Sequence, residues 1–285
     1  MPDDSLTSAA APADPANGEA AVVARLRTAG CVFAEEEARL LIAAASTPGE
    51  FAAMVDRRVA GVPIEHVIGW AEFCGLRVIV GRGVFVPRRR SEFLVSQAIA
   101  AVRLSWPAGQ RGPADPGGAA PVVLDLCCGS GAVGLAVATA LDRAELHAAD
   151  IDPGATAYAR RNLAATSGLV YEGDLYAPLP AGLRGRIDLI VVNAPYVPTK
   201  EIGFMPPEAR LHEPAVALDG GPDGVGIHRR VAAGAPGWLA AGGSLLIETS
   251  ERQAPLTRAA MVAAGLATTI VSDDDLDATV VIGRA

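Results

Sequence analysis

The stretch from Val122 to Leu141, VVLDLCCGSGAVGLAVATAL, constrains the fold more than any other. A β-branched apolar run, Val122-Val123-Leu124, passes through Asp125 into a turn at Gly129-Ser130-Gly131 and then into an Ala/Val/Leu segment of helical character. Strand, tight turn and helix in that order open a nucleotide-binding α/β unit. Glycines turn the backbone sharply and let a ligand approach where a Cβ would stand. The helix that follows offers unsatisfied N–H groups at its start. Gly129, Gly131 and Gly134 also satisfy G-x-G-x-x-G, a pattern met in several nucleotide-binding classes and in plain structural turns.

The alternation continues downstream. Glu145 to Ile151, Leu169 to Leu175 and Ile187 to Val192 read as strands, and Pro153 to Ala165 reads as a helix between the first two. A turn at Gly242-Gly243 precedes a fifth strand, SLLIET; Pro255 to Ala264 reads as a helix, and Ile270 and Val280 mark two last strands. This order predicts an α/β fold with a doubly wound, mostly parallel sheet, whose ligands sit at the carboxyl ends of the strands. Upstream, residues 1–18 read as a disordered tail and 19–63 as a small helical unit. In that unit Glu35-Glu36-Glu37 would form a solvated first turn. Residues 64–86 read as a β-hairpin connector and 87–285 as the α/β domain. Arg88-Arg89-Arg90 is the densest basic cluster, either a solvated turn or a docking point for an anionic partner, and Ser91 is placed to cap the helix after it. The Pro/Gly-rich stretch 106–121 reads as a flexible loop.

Composition narrows the class. The net charge of −8 argues against broad nucleic-acid binding, which needs a basic surface. No apolar run suits a membrane span, and the acidic start lacks the basic n-region of a secretory signal, so a cytoplasmic protein is expected. Cys31, Cys74, Cys127 and Cys128 form no C-x-x-C pair, so no metal site or disulfide framework is indicated. The four histidines are scattered and read as surface or satisfied groups.

Chemistry collects at one sheet edge. Asp150, at the end of the second strand, can accept hydrogen bonds from both hydroxyls of a ribose. Neighbouring Asp152 precedes Pro153 and reads as a turn or cap. Asp174, after the third strand, suits an adenine amine or is a simple loop acid. The fourth strand runs into Asn193-Ala194-Pro195-Tyr196. An Asn side-chain oxygen and an adjacent carbonyl can both accept from a planar NH2 group, and a Tyr ring can pack on that group.

With these residues the chain resembles the HemK/PrmC family of protein-(glutamine-N5) methyltransferases, which use S-adenosylmethionine. The likeness runs from about residue 20 to the C-terminus through PIEHVIGWAEFCGLRVIV, VFVPRRRSEFLV, VLDLCCGSGAVGLAVA, AADIDPGA, VVNAPYVP, HEPAVALDGGPDGVGIHRRV and LAAGGSLLIETSERQ. It implies a seven-stranded Rossmann-like methyltransferase sheet in 87–285, with 19–63 as a substrate-docking domain. It implies a cofactor pocket of Cys127, Cys128, Gly129, Ser130 and Gly131, with Asp150 on the ribose, Asp174 and Leu175 around the adenine and Asn193 near the methyl group. Asn193, Ala194, Pro195 and Tyr196 become the catalytic clamp, and the substrate a glutamine side chain of a protein, a release factor (in its Gly-Gly-Gln loop) or a ribosomal protein. The enzyme would work as a monomer.

Three departures suggest a diverged paralogue, one of them Cys127-Cys128 where the family's glycine loop has other small residues, which should not block binding. Ala194 replaces the first proline of the family's N-P-P-Y, keeping the carbonyl but losing the φ restraint. The family's P-R-P-E-T-E is P-R-R-R-S-E here, with Glu92 retained. Two other readings share the clamp or the pocket: an adenine-N6 nucleic-acid methyltransferase, disfavoured by the acidic chain, and a non-catalytic S-adenosylmethionine-binding regulator.

Overall fold

The computed structural model describes residues 15–105, 120–141 and 143–285. The first fourteen residues of the expected tail and nearly all of the Pro/Gly-rich loop lie outside these. Contacts divide the chain into two compact units, Met1–Ile68 and Gly69–Ala285.

The first unit is helical: α1 (Pro15–Thr28), α2 (Ala34–Ala44), α3 (Pro48–Val59) and α4 (Ile64–Ile68). Helix α1 thus reaches back into the residues read as tail. Leu26, Ala34, Ala38, Leu41 and Val55 fill the core. The spacing of Ala34, Ala38 and Leu41 puts them on one helical face. Thr47 starts α3: its hydroxyl accepts from the Glu50 N–H at 3.2 Å, while the Glu50 carboxylate accepts from the Ser46 N–H at 2.8 Å. Such a cap stabilises a helix by about 1 kcal/mol. The acidic run differs from expectation. It does open α2, but Glu37 shares the inner face with Ala34, Ala38 and Leu41 and is buried. There it takes both nitrogens of the Arg58 fork, Nε at 2.6 Å and Nη2 at 2.9 Å.

The second unit begins with a hairpin, β1 (Trp70–Phe73) and β2 (Leu76–Ile79), paired antiparallel across Cys74-Gly75. Both turn residues have positive φ, 51° and 72°, as a two-residue type I′ turn requires. After α5 (Ser91–Ser105) come β3 (Val122–Leu126), α6 (Ala132–Ala140), β4 (Glu145–Asp150), α7 (Pro153–Leu163), β5 (Leu169–Glu172) and β6 (Ile187–Val192). Then follow α8 (Pro207–His212), α9 (Gly226–Gly234), β7 (Leu239–Thr249), α10 (Ala254–Ala263), β8 (Ala267–Asp273) and β9 (Ala278–Arg284).

Seven strands form one sheet in the order β5-β4-β3-β6-β7-β9-β8. The first five in that order run parallel, and β9 pairs antiparallel with both β7 and β8. This is the doubly wound, mostly parallel sheet that the sequence predicts. Helices cover both faces, so the central strands are apolar on both. Val123, Leu189, Val191 and Leu246 pack on one side, and Leu124, Ile190, Leu245 and Ile247 on the other. Each such side chain stabilises the fold by about 1.5–3 kcal/mol relative to exposure. Gly242-Gly243 forms an irregularity within β7: Ile187 pairs with Leu239, but Leu189 pairs with Ser244. Strand order turns at β3, with β4 and β5 to one side and β6 and β7 to the other, and a crevice opens at the carboxyl ends there. Among the described residues no helix is long and apolar enough to cross a membrane.

Candidate active site

The crevice holds a cleft of about 1400 Å³, counting its open mouth. Cys127 to Ser130 enter its wall from the turn after β3, Asp150 from the end of β4, Asp174 and Leu175 from beyond β5, and Asn193 to Tyr196 from beyond β6. Gly131 stands behind the wall. It caps α6 in the left-handed region at φ 79°, and a Cβ there would meet Leu163 and Ala159 of α7 at 3.2–3.4 Å.

The glycine loop is held by acids and one amide. Asp150 accepts from the Gly129 N–H at 2.8 Å through Oδ2 and from the Asp152 N–H at 2.9 Å through Oδ1. Each oxygen retains acceptor capacity toward the cleft. Asp152 caps α7, its Oδ1 accepting from Gly154 at 2.7 Å, as its place before Pro153 suggests. Asn162 of α7 donates to the Ser130 carbonyl at 2.8 Å and pairs with both backbone groups of Ile79, tying the loop to the hairpin. Asp125 is wholly buried and accepts from the Gly134 N–H at 2.8 Å. A Cβ on Gly134 would lie 2.9 Å from that carboxylate, so the last glycine of the motif serves the approach of Asp125. Burial, partly opposed by the Gly134 bond, raises the Asp125 pKa to about 7. Burial and the nearby acids push the Cys127 and Cys128 thiols up, so both stay protonated. Cys127 and Leu175 have left-handed backbones, φ 60° and 49°. Strain of this kind costs about 1–3 kcal/mol per residue and collects at binding sites. Asp174 faces the cleft with Oδ2 on the Arg230 guanidinium at 2.6 Å.

The polar loop after β6 is fixed from three sides. Asn193 donates through Nδ2 to the Ser91 hydroxyl at 3.0 Å. Among the described residues its Oδ1 and the Ala194 carbonyl have no hydrogen-bond partner. Gln253 donates to the Tyr196 carbonyl at 2.7 Å. The Gly220-to-Gly224 turn presses on the same residue: a Cβ on Gly224 would lie 2.3 Å from the Tyr196 carbonyl, and one on Gly220 2.7 Å from the Tyr196 Cα. This is the local work of LDGGPDGVG. The Tyr196 hydroxyl is pushed up to about 12 by burial and by Glu248, so it stays neutral.

Several residues here take places that the sequence reading does not give them. Arg88 binds Glu213 at 2.6 Å, and Arg90 stands 5.6 Å from the centre of the Tyr196 ring. Both line the cleft, so two of the three arginines are part of its wall, while Arg89 is exposed and lies outside it. The Ser91 hydroxyl accepts from Asn193 rather than capping α5. An acid at the carboxyl end of the apolar strand SLLIET was the available signal for Glu248; Asn162 and Gln253 carried none. Two of the histidines, His147 and His228, are buried groups with side-chain partners. His147 bonds Tyr171 and Glu145, and buried His228 bonds Thr257 and is held near pKa 4 by burial.

The model of the methyltransferase small domain matches residues 116–222. A release factor glutamine methyltransferase of Mycolicibacterium smegmatis is 37% identical over 79% of this chain and 75% of its own length. Another, of Geobacter sulfurreducens, is 37% identical over 73% of this chain and 68% of its own. Among solved structures, a protein-(glutamine-N5) methyltransferase (release factor-specific) of Alicyclobacillus acidocaldarius aligns over 72% of this chain and 97% of its own, with TM-score 0.41 and 22% identity.

Proposed function

The chain belongs to the release factor glutamine methyltransferase family, and from that premise we propose that it methylates the glutamine of the Gly-Gly-Gln loop of a peptide-chain release factor. It is an S-adenosylmethionine-dependent methyltransferase. The residues present fit that cofactor. Asp150 keeps free acceptor capacity beside a glycine turn, and at Gly129 a Cβ would point into open space. Asp150 brings a carboxylate to the pocket that suits a sulfonium cation, with Asp174 beside it offset by Arg230. In our reading Asp150 takes the ribose hydroxyls, Asp174 and Leu175 border the adenine, and Cys127 to Gly131 form the turn around the rest. When bound, S-adenosylmethionine supplies an electrophilic methyl group.

The observation that carries the reading is the orientation of Asn193. Its Nδ2 is occupied by Ser91, so Oδ1 is left for the substrate, next to the Ala194 carbonyl. Two acceptors side by side match the two hydrogens of a primary amide. Held this way, with Tyr196 packed on its plane, the amide nitrogen is aimed along one line. Orientation and fixed dipoles then supply the rate. The chain needs no strong base, because an N-methylated amide cation loses its proton to water. Ala194 keeps its backbone acceptor, and burial at 1% exposure replaces part of the restraint a proline would give. The helices of 19–63 would dock the release factor, with 64–86 as connector to a catalytic domain over 87–285. The enzyme would act as a monomer in the cytoplasm, where translation ends.

The test is transfer of a tritiated methyl group from S-adenosylmethionine to the organism's release factors, wild type against a glutamine-to-alanine change in the Gly-Gly-Gln loop. Label only on the wild-type target is expected. Asn193→Ala should lower turnover roughly 100- to 1000-fold, the usual effect of removing one oriented polar group, while cofactor affinity changes little. Equal labelling by that variant would overturn the clamp.

A further inference from the structure

We propose that Gln253 is a positioning residue for the clamp: by pinning the peptide unit between Tyr196 and Val197, it fixes the line along which the Tyr196 ring meets the substrate amide. This rests on the clamp reading above and adds a residue to it.

Beyond β6 the chain from Asn193 to Pro198 has left the seven-stranded sheet, so its peptide groups must find partners elsewhere. One unit governs the aim of Tyr196. Its carbonyl and the Val197 N–H belong to a single planar group and point to opposite edges of it. The N–H donates to the Leu218 carbonyl at 3.0 Å. The carbonyl accepts from Gln253 Nε2 at 2.7 Å. Held at both edges, the plane does not turn, and the direction in which the Tyr196 side chain leaves the backbone is set. The next carbonyl, of Val197, takes the Gly220 N–H at 2.9 Å, and Pro198 has no N–H to place.

Gln253 suits this part because its own amide has no choice of direction. The oxygen and the NH2 of a side-chain amide are nearly equal in size, so their partners must tell them apart. Here the NH2 meets two carbonyls, of Tyr196 at 2.7 Å and of Asp223 at 3.1 Å, and a carbonyl only accepts. Oε1 accepts from the Ser250 hydroxyl at 2.5 Å. The amide thus joins three loops: the clamp, the Gly220-to-Gly224 turn and the turn from β7 into α10. Gln253 is buried and lies outside the cleft wall, whereas Tyr196 is part of it, so Gln253 acts on substrate through Tyr196. The joint is also tight. A Cβ on Gly224 would lie 2.1 Å from Gln253 Nε2, so the glycine at 224 is what lets the three loops close.

Gln253→Met tests this, because it keeps the length of the side chain and removes both donors. On the release factor kcat should fall roughly tenfold to a hundredfold, the size of effect that a displaced positioning group gives. The KM for the release factor and the Kd for S-adenosylmethionine should stay near wild type. A glutamine that only filled space would be replaced by methionine without that loss. Ser250→Ala is the milder variant: it frees the Oε1 end of the joint and should lower kcat less. A second readout needs no substrate. With 3-fluorotyrosine at the four tyrosines, fluorine-19 spectra report on each ring, and Tyr196→Phe assigns the line of Tyr196. That line should shift in Gln253→Met, and less in Ser250→Ala, while those of Tyr158, Tyr171 and Tyr176 hold their places. Wild-type kcat in Gln253→Met, or an unmoved Tyr196 line, would overturn the proposal. A shift of all four lines together with lost cofactor affinity would overturn it too, as damage to the whole fold. If wild type itself transfers no methyl to a release factor, the clamp reading fails, and the Tyr196 line still decides the joint.

Discussion

Glu37 in the helical unit and Glu248 in the catalytic unit are both buried acids facing an arginine, yet they are finished differently. Glu37 takes both nitrogens of the Arg58 fork, and Arg58 also reaches the Val62 carbonyl at 3.2 Å. Glu248 has Arg90 only at 3.6 Å and keeps one oxygen without a hydrogen bond among the described residues. A closed, bidentate pair matches charge to charge and serves as scaffold. An open pair leaves a buried carboxylate oxygen unmatched behind the cleft wall. Asp125 extends the series, a buried acid that accepts from one backbone N–H and, among the described residues, pairs with no cation.

The comparison breaks most sharply at Arg58. Arg58→Met strands the Glu37 charge in a core and should cost about 3–5 kcal/mol of stability, measured by urea denaturation. Adding Glu37→Leu should recover most of that, because a closed pair exchanged whole for apolar groups is often neutral. If the double variant stays as unstable as the single one, Glu37–Arg58 is more than a scaffold pair.

Asp125 sharpens the other end. Its folded pKa, about 7, lies above its ordinary 3.8, so the folded state binds more protons between those values. The stability it contributes is fully present below about pH 4 and is lost as pH rises through about 7. Asp125→Asn keeps an acceptor for Gly134 and should flatten this fall, so that the variant gains on wild type between pH 5 and pH 8. Parallel denaturation curves for the two proteins across that range would refute it.

At Arg90 the expected change is smaller and falls on turnover. Arg90→Met removes the cation from the Tyr196 ring and should lower kcat roughly two- to fivefold, with the fold little affected, in the methyl-transfer assay. A stability loss as large as that of Arg58→Met would place Arg90 with the scaffold pairs. The smallest effect belongs to an exposed pair that joins α1 to α3. Arg25 and Asp56 lie 2.7 Å apart with side chains 51% and 68% exposed, and Arg25→Ala should cost no more than about 1 kcal/mol.

What could be read from sequence followed a rule. Motifs that are local in the chain, such as the glycine turn, Asp150 after its strand and Asn193 to Tyr196 after theirs, were legible because strand order alone puts strand ends together. Glu35 to Glu37 was read as solvated because periodicity gives a face but not its partner; Arg58 stands 21 residues away. Ser91 was read as a cap for the same reason, since Asn193 is 102 residues distant. The arginine run looked uniform, yet Arg88 found Glu213 and Arg90 found Tyr196, 125 and 106 residues on.

By itself, then, the sequence determined the alternation of strand and helix, the edge where the site lies and the residue types of the clamp, since these depend on backbone sterics and on period. Only the tertiary structure decided that Asn193 presents an acceptor, that Glu37 is buried in a closed pair and that Gly220 and Gly224 brace Tyr196. A hydrogen bond or a close approach joins particular atoms across the chain, and no local pattern encodes which atoms those are.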